Sequence, residues 1–129
     1  PSSFIGVNEG KAATTLKDAE DKTYDKVREL LVSRASVSLM QSTFSKNGIA
    51  CTSEIDFKVE PDTKKTGSTR GMMITRGTCT HSGGEFTIKV RTVIGQDGRT
   101  RVITIGASND AWVKDQKTFD SILDSIQQI

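Results

Sequence analysis

A chain of 129 residues predicts one domain, long enough to bury a core without metals or many staples. Its 18 basic and 16 acidic residues leave a net charge of +2, too balanced to call for a nucleic-acid or membrane partner on electrostatics alone. Only 34% of residues are hydrophobic, yet they recur periodically, which argues against disorder; no apolar run approaches a membrane-spanning length.

The chain opens at Pro1 instead of Met, so an upstream segment is expected to have been removed, and what remains holds no signal peptide. Residues 1–15, PSSFIGVNEGKAATT, are small and polar. They predict an arm or tether, with Phe4, Ile5 and Val7 able to dock on the body, and residues 16–129 form the domain. Helical spacing follows from Leu16: Tyr24, Val27, Leu31 and Ala35 make one stripe, Leu30, Val37, Met40 and Phe44 an adjoining one. Gly48 suits a left-handed helix end, with Ile49 folding back on Phe44. The Ser-rich stretch 36–44 also reads as a strand, and Asn47-Gly48 as a hairpin turn, but helix is favoured.

In IACTSEIDFKVE, residues 49–60, apolar Ile49, Cys51, Ile55, Phe57 and Val59 share a parity against polar alternates, the mark of a half-buried antiparallel strand. PDTKKTGST interrupts, and RGMMITRGTCTH resumes an extended pattern. A tight turn at Ser82-Gly83 leads to Phe86, Ile88 and Val90, and GQDG turns the chain into RTRVITIG. Ser108, Asn109 and Asp110 offer caps for a closing helix through Trp112, Phe119, Ile122, Leu123 and Ile126. The fold class predicted is α+β: a four-stranded antiparallel meander with N- and C-terminal helices packed on one face.

Placing Cys51 opposite Cys79 sets Phe57 opposite Met73 and Ile55 opposite Thr75, with the polar loop centred. The Ser82-Gly83 turn then puts Cys79 opposite Phe86 and Thr75 opposite Val90. GQDG sets Val90 against Ile103 and Ile88 against Ile105. Nearly every apolar alternate then falls on one face. Directly opposed cysteines suit a Cys51–Cys79 disulfide, which favours a periplasmic or secreted location. The alternative is two buried thiols in a reducing cytosol.

Cys79 and His81 are also the only pair resembling a nucleophile and its base, but both point to the buried face, where a thiolate is disfavoured. Two cysteines and one histidine fall short of a zinc site, so neither metal nor cofactor is expected. The other sheet face carries Glu54 opposite Arg76, the basic Arg76, Lys89 and Arg91, and apolar Met72, Ile74, Val93 and Val102. With no aromatic for base stacking, it reads as a solvated face. Met72, Ile74, Arg76, Lys89, Arg91, Val93 and Val102 are the residues it offers to a partner. The loop with Lys64, Lys65, Gly67 and Arg70 lacks a phosphate-loop pattern and reads as a mobile hairpin tip.

The helix, the meander with RTRVITIG and the closing helix with FDSILDSI resemble a loose class of small bacterial envelope domains, many of them lipoproteins, over residues 24–126. That resemblance implies an exported, non-catalytic domain binding a protein or envelope component, periplasmic or outer-membrane-associated. The class has no motif to match, and a lipid-bearing cysteine is missing at the start. The function expected is a binding or assembly module, of inhibitor or immunity type among others. Two alternatives remain: a nucleic-acid-binding domain using Arg76, Lys89, Arg91 and the Lys64-Lys65 loop, and a small enzyme using Cys79 and His81.

Overall fold

The structure, a computed structural model, describes residues 3–10, 28–29, 32–33, 35–67, 69–95 and 99–125. The chain is α+β, built on an antiparallel sheet. In chain order the elements are β1 (Ser3–Gly10), α1 (Val37–Lys46), β2 (Asp56–Pro61), β3 (Lys65–Thr66), β4 (Thr69–His81), β5 (Gly84–Ile94), β6 (Thr100–Ser108), α2 (Asn109–Lys114) and α3 (Gln116–Leu123). The strands run β1-β6-β5-β4-β2, with the short β3 beside β4. The expected meander is therefore present as β2, β4, β5 and β6, and β1 adds a fifth main strand. The N-terminal stretch read as an arm is that strand. Phe4 anchors it, lying over Gly106 so closely that a Cβ there would come within 2.3 Å of the ring, and stacking on Phe86 at 6.0 Å.

The long first helix expected from Leu16 is interrupted. Arg28, Glu29, Val32 and Ser33 are helical, but Ala35 and Ser36 are not. Ser36 is extended, and its Oγ accepts the Leu39 N–H at 3.3 Å, starting α1 afresh. Tyr24, Val27, Leu30 and Leu31 lie outside the described residues. At the other end Gly48 adopts φ 75°, and the Ile49 N–H returns to the Phe44 carbonyl at 3.0 Å. The helical reading of 36–44 thus prevails over the strand.

Two hairpins show how far register could be read. Ser82 (φ 51°) and Gly83 (φ 80°) make the predicted turn, and Cys79 faces Phe86 and Thr75 faces Val90 as expected. Between β5 and β6 the register differs from expectation by one residue. Val90 faces Thr104 instead of Ile103, and Lys89 faces Ile105. A one-residue slip exchanges the faces of a strand, so Ile103, Ile105 and Ala107 point away from Ile88.

The consequence is two cores in place of one. On the front face Phe86, Ile88 and Cys79 pack with Met40, Phe44 and Ile49, under α1. On the back face Val93, Ile103, Ile105 and Ala107 pack with Trp112, Phe119 and Leu123, under α2 and α3. The helices therefore cover opposite faces, not the single face predicted. The closing helix is also two helices, meeting at Asp115. Trp112 is held by its Nε1–H on the Thr87 carbonyl at 3.0 Å and by an edge-on contact with Phe119 at 4.7 Å.

Cys51 and Cys79 form the predicted disulfide, with Cα atoms 5.7 Å apart. The pairing around it differs from expectation. Phe57 faces Gly77 and Pro61 faces Met73, a four-residue shift. An even shift leaves Phe57 and Val59 on the same face, so the core survives the error. Cys51 precedes β2, in an irregular stretch fastened by the Thr52 N–H to the Thr80 carbonyl and the Thr80 N–H to Ser53 Oγ, both 2.8 Å.

Candidate functional site

Among the described residues the back face is only half covered: α2 and α3 contact β5 and β6 and leave the β4–β2 side open. There a groove of about 580 Å³ runs between the strands and α2, lined among others by Lys58, Arg76, Thr78, Thr87, Lys89, Asn109 and Trp112. A smaller hollow of about 270 Å³ adjoins it beneath α3, sharing Arg76 and Lys89.

Strand parity builds the floor. Lys58 faces Arg76 across β2–β4, and Arg76 faces Lys89 across β4–β5. Three cations therefore stand side by side on three neighbouring strands, roughly 5 Å apart from strand to strand. Like charges directly opposed in a sheet are destabilising. Two contacts soften the row: Arg76 Nη2 lies 3.7 Å from Glu60 Oε1, and Lys89 Nζ sits 4.6 Å above the Trp112 ring. The Glu54–Arg76 pair expected from sequence is replaced by these, because the four-residue shift carries Glu54 ahead of β2.

Beside the cations runs a hydrogen-bonded polar row. Thr78 and Thr87 hydroxyls are 2.8 Å apart, Thr87 Oγ1 donates to Asn109 Oδ1 at 2.7 Å, and Asn109 Nδ2 donates to Glu85 Oε2. Asn109 is there because Ser108 caps α2, its Oγ accepting the Ala111 N–H at 3.3 Å. Such a row holds its side chains in fixed positions before anything binds.

The residues proposed from sequence as a partner surface are dispersed. Ile74, Arg76 and Lys89 remain half-exposed on the open back face. Met72, Arg91 and Val93 are buried. Met72 is the extra residue of a bulge in β4, and Val93 belongs to the back-face core. Val102 faces Thr92, on the front face. Arg91 is committed elsewhere. Its side chain, 1% exposed, pairs through Nε with the buried Asp62 carboxylate and donates from Nη1 to the Leu123 carbonyl at 2.8 Å. It ties the loop after β2 to the end of α3. That loop, read as a mobile tip, is pinned by buried Asp62 and by β3 pairing with β4. Lys64 lies 3.4 Å from Asp124.

No protein-family model, curated protein or solved structure matches this chain. What the site can do therefore rests on its own chemistry. The disulfide consumes the Cys79 sulfur, and His81 Nδ1 lies 3.0 Å from the Ala50 carbonyl, so that pair presents no nucleophile. Among the described residues no cluster of three or more His, Cys, Asp or Glu is placed to hold a metal ion. The groove presents a cationic row and prearranged hydroxyl and amide groups to anything anionic that lies across it. Alternation puts Lys58 and Thr78 on this face with Arg76 and Lys89, but only the last two entered the expected partner surface, and Thr87, Asn109 and Trp112 were missed. The opposition of Lys58 to Arg76 lacked a signal because it depends on the shifted register. Asn109 and Trp112 reach the groove only once α2 lies on the back face.

Proposed function

We propose that this protein is a non-catalytic binding or assembly module that receives an acidic segment of a protein partner on its open back face. The observation that carries this reading is the row Lys58–Arg76–Lys89, three like charges held together beside an uncovered groove. An anionic partner lying across the row relieves their repulsion, with its acidic groups over the cations and clear of Glu54, Asp56 and Glu85 on the same lining. The disulfide is consistent with an oxidising compartment. Together with the likeness to small exported domains, it supports a location in the bacterial cell envelope, periplasmic or outer-membrane-associated. Inhibition of a partner enzyme fits the same surface.

Trp112, the single tryptophan, walls the groove and reports on it directly. Titration with polyglutamate at low ionic strength should change its emission, and Arg76→Glu should abolish the change while leaving thermal unfolding near the wild type. Absence of any response in the wild type would refute the reading. A second reading, nucleic-acid binding, draws on the same cation row. It loses Arg91, whose guanidinium is buried on Asp62, and acidic Glu54, Asp56 and Glu85 line the groove as well. A single-stranded oligonucleotide that binds more tightly than polyglutamate, with a steep salt dependence, would favour it.

A further inference from the structure

The two edges of the sheet are built differently. At one edge, β2 exposes Asp56, Lys58 and Glu60 and ends in Pro61. Charges and proline are the usual guards against strand-to-strand association. At the other edge of the described sheet β1 carries one charge, Glu9, near its end, and its first six residues, SFIGVN, contain neither charge nor proline. Ile5 and Val7 are 52% and 66% exposed, on the same back-facing side of this strand, opposite Ile105 and Val7's partner Ile103. A strand edge carries unpaired backbone N–H and carbonyl groups as well, and these call for another strand, not a helix or a small molecule.

We infer that β1 binds a second copy of this chain, pairing antiparallel with its counterpart about a two-fold axis at Gly6. That register is self-complementary. Ile5 of each copy faces Val7 of the other, Gly6 faces Gly6, and Glu9 faces Ser3, so no like charges oppose. Moving the axis to Val7 would set Ile5 against Glu9 and leave a single apolar pair, Val7 against Val7. The two sheets become one, with Ile5 and Val7 of both copies closing the apolar strip between the back-face cores. An eight-residue edge buries less than a standard interface of roughly 1,600 Å², so the dimer forms and dissociates with concentration.

Sedimentation of the full chain across a concentration series should show a monomer–dimer equilibrium. Val7→Lys should raise the dissociation constant on the order of 100-fold, since both copies lose an apolar contact, without changing the circular dichroism spectrum. A cysteine at position 6 meets open space, and so does one at Gly84 on the far hairpin. Gly6→Cys should therefore oxidise readily to a covalent dimer joined through residue 6, and Gly84→Cys should not. A wild type that stays monomeric throughout overturns the inference, as does a dimer that Val7→Lys leaves intact. So does concentration-independent protection of the β1 amides that point away from β6, because the edge would then be covered by this chain's own residues.

Discussion

Arg91 and Asp62 allow the sharpest test of how the back face is held together. Both side chains are essentially without solvent contact, at 1% and 2% exposure, and the Arg91 Nη1–H also donates to the last carbonyl of α3. Removing one partner strands a buried charge, which costs about 3–5 kcal/mol. Asp62→Ala should fall near the lower figure, because Asp124 lies 3.9 Å from Arg91 and takes over part of the compensation. Arg91→Met should cost about as much: Asp62 keeps the Lys64 N–H at 3.0 Å but loses its buried cation. Each single variant should lower the melting temperature by about 10 °C for a chain of this length. The double variant buries no unpaired charge and should cost no more than the worse single one, giving a coupling energy of about 3 kcal/mol. Urea unfolding of the four proteins, followed by far-ultraviolet circular dichroism with the disulfide intact, measures all the terms. Additive single effects, or a single variant costing under about 1 kcal/mol, would show that the pair is not buried as a unit.

Replacing both cysteines by alanine should lower stability by about 3.5 kcal/mol from the lost constraint on the 28-residue separation, with the fold retained, as read from urea midpoints. Gly71→Ala would drive its Cβ to 2.5 Å from Asp62 Cγ and should cost nearly as much as losing Asp62 itself; Gly77→Ala meets chiefly the Met40 side chain, which can move, and should be the milder change in the same assay. Gly106→Ala pushes into the Phe4 ring, so hydrogen exchange should show lost protection in residues 3–10 while β4 and β5 keep theirs. Equal loss across the whole sheet would mean that β1 is not a separable edge.

Local chemistry was legible wherever neighbours in sequence decide the outcome. Ser82-Gly83 supplied a hairpin turn whose two positive-φ positions lock β4 to β5, and the predicted pairs of that hairpin are the observed ones. Gly48 ended α1 for a similar reason. The β2–β4 pairing was less legible, because the long connection between them imposes no register. Cysteine matching located the disulfide but misplaced Phe57 by four residues. The Lys58–Arg76–Lys89 row was hidden for that reason: alternation puts all three on one face, but only the true register sets Lys58 beside Arg76.

Alternation and turn residues, then, determined an antiparallel α+β chain, the β4–β5 hairpin and the Cys51–Cys79 link. The tertiary structure decided which face each apolar strand serves. Alternation in β6 reads equally well in either sense, and Ile103, Ile105 and Ala107 face Trp112, Phe119 and Leu123 only because a core was available on each side of the sheet. With α1 on one face and α2–α3 on the other, the described residues leave half of the back face open. The cationic groove exists in that gap, and a hydrophobic pattern one residue out of register cannot foretell it.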